Sequence, residues 1–247
     1  MHVPDGFLDL PTSAATGAVA VAGVGLALRG ARRELDDRTA PLAGLVATFV
    51  FATQMLNFPV GAGTSGHLLG GALAAVLVGP WTGVLSLAVV LLVQSLLFAD
   101  GGITALGTNI TLMGLVGVFT GWLVFRGLQS VLPKRVALVP ALAAVAGLVS
   151  VPVTALAFVG LYAVGGQAPV SLAALTSAML GWHVLIGLGE AAITGLVVGS
   201  VVGVRPDLVY GARRVLAART LTLRSDSSAN APRGTDETAQ TNRGGGA

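Results

Sequence analysis

The stretch VALVPALAAVAGLVSVPVTALAFVGLYA, residues 136–163, runs for 28 residues without a charged side chain. A helix needs about 20 predominantly apolar residues to cross the hydrocarbon core of a bilayer, so this segment reads as a transmembrane helix. Lys134 and Arg135 mark its basic end, and Gly165, Gly166 and Gln167 mark a turn at the other. Reading outward finds further apolar segments at about 11–30, 40–58, 67–80, 82–99, 109–129 and 172–204. Seven helices follow, and the chain is predicted to be an all-α membrane protein. The third segment is short for a span and carries Gly70, Gly71 and Gly79. It is expected to be tilted, broken or recessed, an arrangement that works only where neighbours satisfy the backbone.

Composition points the same way. Of 247 residues, 54% are hydrophobic and only 10% charged, with a mean hydropathy of +0.84, whereas soluble domains carry about 25% charged residues. Thirty-five glycines permit close helix contact. The absence of cysteine removes disulfides and thiolate ligands, leaving nitrogen and oxygen donors. The net charge of +3 would suit a nucleic-acid partner if it lined a groove. The 14 Lys and Arg instead lie at Arg29–Arg38, Arg126–Arg135 and Arg205 onwards, flanking helices. That distribution excludes nucleic acid as a partner.

Threading seven spans by the positive-inside rule puts all 14 basic residues on the cytoplasmic side and the amino terminus outside. Residues 1–10 then form a polar hook beside Pro59–Gly66 and Asp100–Thr108, all on the external face of the plasma membrane. The first residues lack the positive region of a secretory signal. Residues 11–204 make the transmembrane domain, 205–224 a basic interfacial segment, and 225–247 a polar tail expected to be disordered.

The hook begins Met1-His2-Val3-Pro4-Asp5-Gly6. A terminal amine, the His2 amide nitrogen and the His2 ring Nδ1 close five- and six-membered chelate rings around one ion, leaving one corner of a square plane open. Square-planar nitrogen sets favour Ni(II) and Cu(II). Two other histidines exist, His67 and His183. His67 follows the glycine-rich run Gly61–Gly66 on the hook's side of the membrane, which favours it as the fourth donor.

The stretches MHVPDGFLD (1–9), PVGAGTSGHLLGGALAAVLVGP (59–80) and QSLLFADGGITALGTN (94–109) resemble the CbiM/NikM-type family, the substrate-capture subunits of cobalt and nickel energy-coupling-factor transporters. The likeness extends from residue 1 to about 204. It implies a six-helix capture-subunit core with an added amino-terminal helix. It further implies that the Met1 amine, the His2 amide, the His2 imidazole and the His67 imidazole bind Ni(II) or Co(II) as transported substrate. The partners it implies are a coupling transmembrane subunit, two ATPase subunits and a small accessory membrane subunit.

Asp5, Ser65, Asp100 and Asn109 are candidates to orient the ligands through hydrogen bonds, against the alternative that they serve turns. His183 and Glu190, seven residues apart, share one face of the last helix and are expected to form a structural His–Glu pair with another helix. The alternative is a transient metal position on a release path. Gln54, Asn57 and Gln94 are expected to make interhelical or loop hydrogen bonds. Small residues at Ala14, Ala18 and Ala22, and at Ala40, Gly44, Thr48 and Ala52, are expected to serve internal packing. The family resemblance offers the second stripe as a surface for the coupling subunit.

The sequence has no G-x-x-x-x-G-K-[ST], so the chain binds no nucleotide through a P-loop, and neither H-E-x-x-H nor G-x-S-x-G is present. Capture of a metal from outside is therefore the leading reading and an enzyme is not expected. The rivals are a self-contained secondary metal permease and a metal-dependent intramembrane enzyme with Glu190 as base.

Overall fold

A computed structural model describes residues 1–37, 39–61 and 64–218. The seven apolar segments all form helices: α1 (Leu10–Ala31), α2 (Ala40–Gln54), α3 (Gly71–Val78), α4 (Pro80–Leu97), α5 (Leu106–Val131), α6 (Val139–Gly165) and α7 (Leu172–Val204). By length and composition α1, α4, α5, α7 and a segment from Val136 to Gly165 can cross a membrane; α2 is shorter. A small antiparallel hairpin, β1 (Phe58–Gly61) and β2 (Thr64–Gly66), pairs Phe58 with Gly66 between α2 and α3. The second apolar segment was expected to stay helical to residue 58. It ends at Gln54 instead, and the chain enters the hairpin at Phe58.

Helix boundaries follow local chemistry. The Asp9 carboxylate accepts from the Thr12 amide at 2.9 Å and Pro11 follows directly, so α1 starts with a side-chain cap and a residue that needs no donor there. Ser171 caps α7 in the same way. Pro152 interrupts the α6 ladder, and a Cβ at Gly187 would stand 3.0 Å from the Leu148 carbonyl there, so α7 packs closely at that point. In α5 the segment Ile110–Gly117 is a π-helix.

The core is organised around α3. All eight of its residues are buried, and at about 1.5 Å per residue it reaches roughly 12 Å, well short of a bilayer's core. It is enclosed by α2, α4, α5, α6 and α7, the recessed option expected for this segment. Its backbone touches α5 directly, because a Cβ at Gly71 would lie 3.0 Å from the Gly117 carbonyl carbon. Gly79, at φ +101°, turns the chain into α4 with no intervening loop.

Both short-looped helices receive a carboxylate from a distant element. Glu190 of α7 accepts from the Leu69 and Gly70 amides at 2.9 and 2.7 Å, just ahead of α3. Glu34, after α1, accepts from the Trp81 and Thr82 amides at 3.2 and 2.7 Å and from the Thr82 hydroxyl at 3.0 Å. Unpaired amides at a helix start and the positive end of its dipole both favour an anion. Burial pushes the Glu34 carboxyl above its ordinary value, more than these bonds lower it.

The small-residue stripes do not serve internal packing. Ala14, Ala18 and Ala22 are exposed, as are Ala40, Gly44, Thr48 and Ala52. The buried face of α1 is carried instead by Thr12, Thr16, Ala20, Ala27 and Ala31. After α7 the chain makes two 3-10 turns and a short helical run over 213–218. Gly211 packs against Phe125 and Val76, and Gln129 donates to the Gly211 carbonyl at 2.7 Å. The first part of the basic segment thus folds back onto α3 and α5. Residues 219–224 and the tail at 225–247 lie outside the described residues.

Candidate metal centre

The first nine residues thread inward before α1 begins. Met1, His2 and Val3 are all buried, Met1 to 1% exposure. Two elements hold this hook. Asn109 clamps the Val3 peptide from both sides, accepting from its N–H at 2.8 Å and donating to its carbonyl at 3.1 Å, and Gly102 N–H donates to the same carbonyl at 3.1 Å. Asp5 accepts from the Thr104 amide and hydroxyl at 2.8 and 2.5 Å. On the other side Asp9 N–H donates to the Gly165 carbonyl at 2.7 Å and Gln167 N–H to the Phe7 carbonyl at 3.0 Å, tying the hook to the α6–α7 turn. Met1, Val3 and Phe7 pack with Phe158, Leu175 and Met179.

Met1, His2 and His67 converge. The Met1 amine is in hydrogen-bond contact with His67 Nε2. The His2 and His67 rings lie 4.4 Å apart between centroids at 30°. His67 Nδ1 donates to the Leu68 carbonyl at 2.8 Å, which directs Nε2 as a lone pair toward the amine. His2 Nδ1 stands 3.1 Å from Asp100 Oδ1, and its Nε2 3.2 Å from Gln94 Oε1. Among the described residues no three His, Cys, Asp or Glu side chains gather as a ligand cluster. What gathers here is two imidazoles around a main-chain amine.

Burial makes these nitrogens good donors. It pushes the Met1 amine well below its ordinary 8.0, against the raising influence of the Asp100 charge. It also pushes His2 below 6.5, although the Asp100 bond pulls the other way. For Asp100, burial raises the carboxyl, but its interactions with His2, Asn57 and the amino terminus outweigh it and leave it below its ordinary value. An unprotonated nitrogen is a ready ligand, and an anion beside it offsets an incoming cation.

Of the four supporting candidates, Asp100 touches His2, Asn109 holds Val3, and Asp5 fastens the hook to Thr104. Ser65 lies on β2 opposite Pro59. His183 and Glu190 do not bond each other. Two turns of α7 separate them; Glu190 meets the start of α3 and His183 Nδ1 meets its own helix at the Met179 carbonyl, 2.8 Å away. Gln94 and Asn57 have a larger part than sequence reading gave them. Gln94, wholly buried, contacts the His2 ring, and Asn57 donates to Asp100 Oδ2 at 3.1 Å. The signal available for Gln94 was its place at the head of the QSLLFADGG stretch. Gln54, by contrast, donates to the Leu69 carbonyl at 2.7 Å as a structural bond.

Residues 2–208 match the family model described as the cobalt uptake substrate-specific transmembrane region, CbiM. A protein of Archaeoglobus fulgidus provisionally named fused nickel transport protein NikMN is 39% identical over 210 residues, covering 85% of this chain and 68% of that protein. The cobalt transport protein CbiM of Sorangium cellulosum is 44% identical over 129 residues, covering 51% of this chain and 57% of that one. The crystal structure of a truncated transition metal transporter superposes with a TM-score of 0.75 at 32% identity, covering 82% of this chain and 99% of that chain.

Proposed function

Since the chain belongs to the CbiM family of cobalt-uptake substrate-specific transmembrane regions, we propose that it captures Ni(II) or Co(II) as transported substrate at the Met1–His2–His67 centre. The observation that carries this reading is the buried Met1 amine held against His67 Nε2, with the His2 ring alongside. The relatives above are named as transport proteins for nickel or cobalt, not as enzymes.

In this reading the amine, the His2 amide nitrogen, His2 Nδ1 and His67 Nε2 form the four donors. Two adjustments accompany loading. His2 Nδ1 leaves Asp100 to face the ion, and the His2 amide gives up its proton, as metal binding by such ligands releases protons. Asp100 then supplies charge compensation close to the ion. The Asn109 clamp matters because it fixes the peptide following the His2 donors, so affinity comes from preorganisation.

The hook lies on the external face, the carboxyl terminus in the cytoplasm, and the chain in the plasma membrane, as the distribution of basic residues supports. The outward stripe of α2 is the face offered to a coupling transmembrane subunit. Two ATPase subunits and a small accessory subunit complete the transporter, since this chain carries no P-loop of its own.

Titration calorimetry with Ni(II) and with Co(II) tests the centre, using the intact chain, His67→Ala and a form extended before Met1. One ion is expected per intact chain, with at least a hundredfold loss in either altered form. Equal binding by the extended form would remove the amine from the donor set and with it the proposal.

A further inference from the structure

Resting on the capture reading above, we propose that His183 Nε2 is an additional donor that takes the ion as it leaves the hook. His183 is completely buried in α7. Its Nδ1 lies 2.8 Å from the Met179 carbonyl, and a carbonyl only accepts, so Nδ1 carries the proton and Nε2 of the neutral ring keeps its lone pair. Among the described residues Nε2 has no partner. Buried polar atoms are rarely left unpaired, and each one calls for an explanation.

The arrangement repeats that of His67. There too Nδ1 is spent on a backbone carbonyl at 2.8 Å and Nε2 is presented to the centre. Metal-binding histidines characteristically give their second ring nitrogen to a carbonyl or carboxylate, which fixes tautomer and orientation. His183 therefore has the tautomer of a ligand without a bound atom to explain it.

Its position suits a hand-off. Met179, one turn before it, packs in the cluster that encloses Met1. Ile186, nearly one turn after it, lies against Gly66, and Leu68 lies against Gly189. The face of α7 bearing His183 thus runs beside the His67 segment, deeper along the helix than the hook cluster.

The chemistry calls for such a donor. A planar four-nitrogen chelate leaves both faces of the ion open, and exchange at such ions proceeds by addition of an incoming ligand before the old one departs. An unshared nitrogen lone pair on a neighbouring helix face, such as that of His183 Nε2, is suited to that addition. Nε2 of His183 forms a bond to the ion as the bond to His67 Nε2 breaks. One neutral nitrogen replaces another, and no proton or electron is transferred.

The test uses the full chain with a free amino terminus in detergent, loaded with Cu(II) as the probe, and pulsed electron paramagnetic resonance to count bound imidazoles. The unaltered chain is expected to show two. His67→Ala is expected to show two as well, with His183 in the vacated place, and His67→Ala combined with His183→Leu to show one. A single imidazole in His67→Ala overturns the role of His183 while leaving the hook intact. Absence of bound Cu(II) from the unaltered chain overturns the hook reading and this proposal together. In a second measurement, release of Ni(II) to excess chelator is expected to slow at least tenfold in His183→Leu; an unchanged rate overturns the hand-off. The His67→Ala count stands even if the leucine variant folds poorly.

Discussion

Replacing Glu190 by Gln tests whether one carboxylate holds the start of α3, and through it His67. The two oxygens accept from the Leu69 and Gly70 amides at 2.9 and 2.7 Å in a fully enclosed site. A hydrogen bond to a charged group contributes about 1.5–3 kcal/mol, and a buried donor left unpaired costs about 1–3 kcal/mol. Glutamine keeps one acceptor and turns an NH₂ toward the other amide, so one bond weakens and one N–H is orphaned. The expected loss is about 2–4 kcal/mol. For a chain of this size about 2–4 °C accompanies each kcal/mol, so the melting point should fall by about 4–16 °C. Tryptophan fluorescence during heating of the metal-free protein in detergent measures it. Because Leu69 follows His67 by two residues, Ni(II) affinity should drop at least tenfold in the same variant. A melting point within 1 °C of the parent would show that the carboxylate does not hold α3, and the account of that helix would fail.

Asn109→Ala should weaken Ni(II) binding by about 30- to 700-fold, because it orphans the Val3 N–H and removes one of two donors to the Val3 carbonyl, together about 2–4 kcal/mol; calorimetry showing an unchanged Kd would refute the clamp. The Met1 amine and His2 should each contribute stability to the metal-free protein as pH rises, opposite in sign to Glu34, whose carboxyl burial raises. Burial lowers the Met1 amine and His2 below 8.0 and 6.5, so the unfolded chain binds protons that the folded chain excludes. The stability gained is complete above about pH 8 and is lost on acidification through those values, at no more than about 1.4 kcal/mol per pH unit per group; a change in melting point from about pH 6 to 8 that is the same in His2→Ala as in the parent would contradict this for His2. Ala99 sits at φ +52°, in a region that favours glycine, directly before Asp100. Ala99→Gly should be stabilising by up to about 1 kcal/mol, and a clear loss of melting temperature would show that the alanine methyl is needed there.

Hydropathy located the helices because a long apolar run has few other uses: 136–163 became Val139–Gly165, and 172–204 became Leu172–Val204. It did not show that the third segment is an enclosed helix of eight residues, because an apolar sequence is the same whether its neighbours are lipid or protein. The stripe on α2 turned outward for a related reason: spacing defines a face, and only packing decides what the face meets. At the centre, Met1, His2 and His67 were legible because a chelating terminus and three histidines leave few combinations. Gln94 and Glu190 were not, since their roles depend on contacts 92 and 120 residues away in the chain. The pairing of His183 with Glu190 failed because sharing a helical face does not bring side chains two turns apart into contact.

The π-helix at Ile110–Gly117 begins just after Asn109, the residue that grips the hook. A π-turn amounts to an extra residue slipped into an α-helix, and one residue corresponds to about 100° of rotation. Trimming a single position from this stretch would restore an ordinary ladder while swinging the Asn109 amide roughly a quarter-turn off target. A helix is refitted in this way to aim one amide at its quarry while its far end keeps the same seat among its neighbours.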